Sequence, residues 1–459
     1  VILCWTCVSR GATRAEADRE TKKAFQELQF FHEGRGMMLS PGLISAYNLF
    51  VPGLGVVDSK TFKNRWGVVY NDEGKISGLN QVEYKGHSVG VMGCVACHSG
   101  RAAGQFVVGL GNKNIDVLRM GQDIATIESY WKWFVPWLMK DRAYTDLEDA
   151  SMQFASYLAN PEIGNLTQGL VPISFIRGWF YRIHNRELPF GMSRGQVKVP
   201  FLWGYGEKRK VGQVCDGYGD GTELGWAVAV ELAAGQTPEA IRAYYPKVKA
   251  AEQALENLLP PPYPFDIDIL LAARGREIYS HTCVRCHGTY ERDSEGQPIY
   301  HAPRWISWDV VRTDHDRVGG HSEEFNALVN SSPLNDILRF RSSEPGYFAP
   351  RLEGVWSRFP YLHNGSVPTL ADMLSPPSKR PKVFSLARAG ERDRYDTRRM
   401  GLSLPKNQRD LIRLQKEASA GARDVYDTRR TGHSNEGHDF FTDLDMFSKG
   451  ALMEYLKTL

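Results

Sequence analysis

Two things are scarce in this chain: long apolar runs and charge of one sign. No stretch of 18 or more uncharged apolar residues occurs, so no membrane-spanning helix is expected. The 56 basic and 53 acidic side chains nearly cancel, leaving a net charge of +3. That balance forces no basic face, and nucleic acid is not an expected partner. Cysteine is sparse as well, seven in 459 residues. No Cys pair has a second Cys/His pair at zinc-finger spacing, which disfavours a zinc site. The length allows about two to four domains.

Four of the seven cysteines fall into one repeated pentapeptide, C-x-x-C-H, at Cys94, Cys97 and His98 and again at Cys283, Cys286 and His287. Two thiols three positions apart can each add to one vinyl group of a single haem, and the adjacent His is then held under the iron as its proximal ligand. The sequence therefore predicts two covalently bound haem c groups. Covalent haem attachment in bacteria takes place outside the cytoplasmic membrane, so a periplasmic or exported location is expected.

The chain opens on Val1, with an apolar stretch to Val8. Residues 1–18 read either as the remnant of a signal or anchor sequence, the one route to a membrane, or as a flexible terminus. Cys4 and Cys7 lie there without a following His, and Cys215, which stands alone, is expected to be a small buried hydrophobe rather than a nucleophile. Helical periodicity is expected over 19–32, 146–158 and 237–259. The last runs into Pro260, Pro261, Pro262 and Pro264, which cannot continue a helix. A boundary there divides residues 19–260, an enlarged N-terminal haem domain, from residues 261–459. In the latter, helices over 267–279 and 449–457 flank the second motif as in a cytochrome c domain. The fold class expected is thus mainly α, two cytochrome c-like domains with long loops. Tyr395–Gly401 is echoed by Tyr426–Gly432; its arginines suit haem propionates, or the two copies are similar solvated turns.

The two motif histidines lie 189 positions apart (287 minus 98), and a chain built only to conduct electrons gains by packing its haems closely. The excess around the first motif reads as a pocket for a substrate or peroxide, or as an enlarged docking surface for a partner.

Five stretches carry a family resemblance: Gly90–Gly104, Val199–Gly204, Ala273–Tyr290, Leu352–Leu370 with its P-Y-L-H-N-G-S core, and Gly432–Leu444 with N-E-G-H. Together they resemble the di-haem cytochrome c peroxidase superfamily, closest to the branch of the rubber oxygenases and related di-haem dioxygenases. The resemblance implies His98 and His287 as proximal ligands and His438 as the second axial ligand of the C-terminal haem, with His363, His433 and Met373 as competitors. Fourteen residues past His363 (377 minus 363) the peroxidase branch carries a Met ligand, where this chain has Pro377. It also implies an open iron on the first haem with aromatic residues overhead, for which Trp203 and Tyr218 are the positional candidates; either is equally at home in an ordinary core. His281, His301, His315 and His321 are expected to be surface or hydrogen-bonded residues.

The function expected is a periplasmic di-haem c-type oxidoreductase. Dioxygen or peroxide chemistry, of peroxidase or dioxygenase type and on an unknown organic substrate, would occur at the N-terminal haem, with electron relay through the C-terminal one. A small cytochrome c or cupredoxin is the partner class implied. The alternative is a non-enzymatic electron-transfer cytochrome, a subunit of a larger redox complex.

Overall fold

A computed structural model of the chain describes residues 31–32, 35–36, 38–39, 62–84, 87–123, 166–172, 177–178, 180–181, 184–187, 189, 195–205, 237–256, 258–291, 294, 299–300, 305–319, 322–337 and 345–459. The helices expected over 19–32 and 146–158 fall outside these residues, except that Phe31–His32 is a two-residue strand rather than helix. Cys4, Cys7, Cys215, Tyr218, His301 and His321 also fall outside them.

The first motif sits between two β-hairpins. Strands β1 (Leu79–Tyr84) and β2 (His87–Met92) pair antiparallel with Leu79 opposite Met92, and Met38–Leu39 pairs with the other edge of β2. After Gly93 the chain makes a 3₁₀ turn over Cys94–Ala96. It then enters β3 (Ser99–Ala102), which pairs with β4 (Gln105–Val108). The β3–β4 loop is Ala103–Gly104, both with positive φ (50° and 84°), a combination whose twist matches that of the flanking strands. Gly78 backs onto the Cys94–Ala96 turn so closely that a Cβ there would lie 2.1 Å from the Ala96 nitrogen.

The second motif is framed by helices. Helix α1 (Pro238–Glu256) carries Pro246 inside it and stops short of the proline run. Helix α2 (Ile269–His281) starts where the Asp268 side chain accepts from the Leu271 amide, the cap that satisfies an orphan helix N–H. It ends two residues before Cys283, and Val284–His287 forms one further helical turn. Helix α3 (Gln408–Ser419) covers a small antiparallel sheet of β5 (Val383–Ser385) and β6 (Val425–Asp427), burying Leu414 and Ala418 against Val383 and Val425. Helix α4 (Met446–Lys457), capped by Asp445, crosses α2 at small residues. A Cβ on Gly275 would lie 1.9 Å from the Ala451 carbonyl oxygen, and Tyr279 and Tyr455 flank the crossing with ring centres 5.2 Å apart. The buried stripe of α2 is Ala272, Gly275 and Tyr279, spaced as one helix face requires.

One continuous cluster of buried side chains runs across the proline segment. It joins Cys94, Val95, Leu110, Leu202 and Trp203 to Tyr279, Trp356, Phe359 and Tyr455. The core is therefore shared across the 260/261 position.

Candidate haem-binding sites

His98 is placed by its own turn and by a remote proline. Its amide bonds the Cys94 carbonyl at 2.8 Å, as the turn requires, and its ring Nδ1 lies 3.0 Å from the Pro200 carbonyl oxygen. A carbonyl only accepts, so Nδ1 carries the hydrogen and Nε2 keeps its lone pair for a metal. The Pro200 strand is held close because a Cβ on Gly111 would meet the Val199 oxygen at 1.9 Å. Asn112 adds its amide to the Cys97 carbonyl (2.8 Å) and its Nδ2 to the Gly67 carbonyl (2.9 Å). Burial lowers the His98 imidazole to about 4 and raises the Cys97 thiol to about 12. The ring is thus neutral near pH 7, as a ligand must be.

His287 repeats the arrangement on different supports. Its Nδ1 lies 2.7 Å from the Pro350 carbonyl oxygen, so again the hydrogen is on Nδ1 and Nε2 is left to coordinate. Tyr279 donates to the Gly288 carbonyl (2.8 Å). Tyr290 donates to the His287 carbonyl (3.3 Å) and accepts the Leu352 amide (2.7 Å). Burial, and then the neighbouring His438, lower the His287 imidazole to about 4.

His438 faces His287, with ring centres 6.3 Å apart and planes 47° from parallel. Two imidazoles ligating one metal from opposite sides, with metal–nitrogen bonds of about 2 Å, have ring centres roughly 6 Å apart. The separation therefore fits a single iron between them. The loop that presents His438 is tightly fixed. Gly437 (φ 79°) sits where a Cβ would strike the Arg312–Thr313 backbone at 2.4 Å, and His438 itself has φ 46°. The His438 amide donates to the Val311 carbonyl at 2.7 Å. Below the loop, the buried Arg380 guanidinium donates to the carbonyls of Asn435, Gly437, His438, Asp372 and Ser375, at 2.6 to 3.2 Å. The His438 Nδ1 is buried with no partner beyond its own main chain, so no neighbouring acceptor fixes its tautomer.

The competitors are engaged elsewhere. His363 stacks on Tyr347 (5.2 Å, 19°) and its carbonyl accepts the Lys198 amide. His433 is fully buried, its Nδ1 donating to the Thr431 carbonyl and its Nε2 accepting from the Thr167 hydroxyl, both at 3.0 Å. Met373 is packed in the core at the end of the short helix Leu370–Met373. His315 packs edge-on against Trp308, and His281 is exposed at the end of α2. Among the described residues no second imidazole faces His98.

Trp203 lies in the loop that carries Pro200. It is 1% exposed, donates its Nε1–H to the Glu353 carbonyl at 2.8 Å, and packs against Phe201 and Gly354. Its position is the wall joining the Pro200 and Pro350 loops. The echoed segments are paired turns: Asp396 and Asp427 each accept main-chain amides two residues on, at 2.9 and 3.0 Å. Three of their four arginines are occupied, Arg399 by Asp372, Arg429 by Asp427 and Arg430 by the Ala418 carbonyl.

Sequence reasoning missed a group of three cations. Lys113 is buried, donates to the Arg101 carbonyl (3.1 Å) and lies 4.6 Å above the Phe359 ring. Lys198 donates to the carbonyls of Arg358 and Pro360, both at 2.7 Å. Arg358 lies 4.1 Å above the Phe201 ring and donates Nη1 to the Arg351 carbonyl (2.8 Å). They come from three distant segments, so no local pattern marked them.

Residues 346–385, which contain Pro350, Arg358, the P-Y-L-H-N-G-S block and Arg380, match the family model described as RoxA-like, cytochrome c-like. Two uncharacterized proteins of Sinorhizobium fredii are similar in sequence. One, y4iM, is 33% identical over a stretch covering 33% of this chain and 37% of that protein. The other, y4iJ, is 27% identical over 46% of this chain and 43% of its own length. The chain thus spans well under half the length of these curated relatives. The similarity to RoxA-like cytochrome c over residues 346–385 implies haem c and suggests a haem-based redox function.

Proposed function

We propose that the chain is a periplasmic di-haem c-type oxidoreductase, with haems attached at Cys94/Cys97 and Cys283/Cys286 and held by His98 and His287. The observation that carries this reading is the asymmetry between two otherwise matching histidines: each gives its Nδ1 hydrogen to a proline carbonyl, and among the described residues only His287 is faced by a second imidazole. Haem c supplies one-electron and dioxygen or peroxide chemistry when bound. The protein orients each imidazole, keeps it neutral, and screens it from water with the shared core. A site with two imidazoles has no free position and suits electron relay, so substrate chemistry falls to the His98 site. Dioxygen or peroxide with an organic substrate, and a small cytochrome c or cupredoxin as electron partner, are the partners this division of labour requires.

The test is coordination chemistry on the intact chain. Denaturing mass spectrometry should give the polypeptide plus two haem masses. The reduced protein should bind about one equivalent of carbon monoxide and react with dioxygen or hydrogen peroxide. Refusal of carbon monoxide, with rapid electron exchange with a small cytochrome, would replace the enzyme reading by that of an electron carrier.

A further inference from the structure

Lys113, Lys198 and Arg358 line one concavity together with Asn112, Gln168, Val199, Phe201 and Phe359, and no Asp or Glu is among the described residues that line it. Lys113 and Arg358 are each 7% exposed. Buried cations are costly unless an anion answers them, and for Lys113 and Arg358 the answers among the described residues are main-chain carbonyls and aromatic faces. Burial and then the charge of Lys198 hold the Lys113 ammonium well below its usual range. Burial brings the Arg358 guanidinium down to about 10, although Glu353 lies within its electrostatic reach; that carboxylate pairs with Arg351 at 2.7 Å. The Arg358 Nε–H is buried without a partner. A guanidinium with a free Nε–H beside an ammonium is a donor set suited to a carboxylate.

The position of the concavity is as informative as its charge. Val199 and Phe201 flank Pro200, the acceptor for His98, and Asn112 binds the Cys97 carbonyl. Arg358 also reaches the Arg351 carbonyl, next to Pro350, the acceptor for His287. The three cations thus lie between the loops that orient the two histidines.

We propose that Lys113, Lys198 and Arg358 form a carboxylate-binding site, and that in the holoprotein its occupant is a propionate of the haem at His98, so that these cations raise the reduction potential of that haem. The assignment of the occupant rests on the di-haem reading above; the carboxylate site itself does not. A positive charge near a haem favours the state carrying the extra electron, and Arg358, which links the two loops, should act on both haems with the larger effect at His98.

The experiment is a spectroelectrochemical titration of the intact haem-loaded protein and its R358Q, R358K and K113M variants, with resonance Raman spectra of the propionate modes. The expected result is a lower midpoint potential for the first haem in R358Q and K113M, a smaller fall for the second, and nearly wild-type values in R358K. K113M keeps the Arg358–Arg351 link and so guards against a folding defect in R358Q. Unchanged potentials and propionate modes in both charge-removing variants overturn the proposal, as does an equal fall in R358K. Acetate added at constant ionic strength separates the sources. Wild-type potentials insensitive to acetate support the propionate; potentials that shift with acetate keep a carboxylate site but move its occupant to solution. Failure of the wild-type chain to carry two haems would defeat the di-haem reading instead. Acetate binding by calorimetry then decides, with binding abolished in R358Q supporting the site and no binding overturning it.

Discussion

The two C-x-x-C-H segments have the same five-residue chemistry on opposite scaffolds. The first lies between β-hairpins and the second between helices α2 and α4, yet each His donates Nδ1 to a proline carbonyl far along the chain. The difference lies elsewhere. The loop 435–438, pinned by Arg380, brings His438 to His287, whereas among the described residues nothing equivalent meets His98. Motif chemistry and ring orientation are common to both histidines, and the facing imidazole is a separate element added to one of them. A motif of this kind therefore specifies where a haem is fixed, while remote loops decide how many protein ligands it has.

The comparison is broken most completely by removing one attachment. Cys283→Ala should lose or loosen the second haem and leave the first, read as one haem mass in place of two on the denatured chain. Next in size is the facing ligand: His438→Ala should convert a low-spin component to high spin in resonance spectra of the oxidised protein, and His363→Ala should not. The reverse pattern would transfer the ligand role to His363. Arg380→Met should weaken the same low-spin signal without touching either ligand. Because it leaves several buried carbonyls without a donor, it should also destabilise the fold by about 3 kcal/mol or more in chemical denaturation.

A smaller effect is expected from His433, which ties Thr167 of the N-terminal half to the C-terminal block. Burial lowers its imidazole from 6.5 to about 4, so the folded chain keeps it neutral where the unfolded chain would protonate it. Its contribution is complete above pH 6.5 and is lost as pH falls toward 4, on the order of 3 kcal/mol over that window. Denaturation curves of His433→Asn should show a shallower acid dependence than wild type; an unchanged slope would clear His433 of the role. The smallest effect is that of Trp203→Phe, which keeps the ring in the wall between the two loops and loses the hydrogen bond to Glu353. It should cost about 1 kcal/mol and leave the spectrum of the second site unaltered.

Legibility in the sequence followed range. The two C-x-x-C-H motifs are contiguous and so legible at once, and helices α1, α2 and α4 emerged near their expected positions because their apolar faces and the proline stop are local signals. The hairpins around the first motif were not foreseen, since strands of four to six residues interrupted by glycine give little periodicity. Nothing near His98 or His287 marks Pro200 or Pro350 as their acceptors, 102 and 63 residues away. His438 came from resemblance alone, and that its ring rather than that of His363 or His433 faces His287 is visible only in the fold. The three cations share a site only because the core closes across residue 260.

The raised thiol of the half-buried Cys97 has a consequence for the order of events in the life of the chain. Thioether formation uses the nucleophilic sulfur, which is the thiolate, and in the folded chain that thiol is pushed up to about 12 while Cys94 is buried beside it. A finished fold would therefore be a poor acceptor for its own haem. On the di-haem reading, attachment at Cys94 and Cys97 thus belongs to the open chain, and the haem would be a component around which the N-terminal half closes.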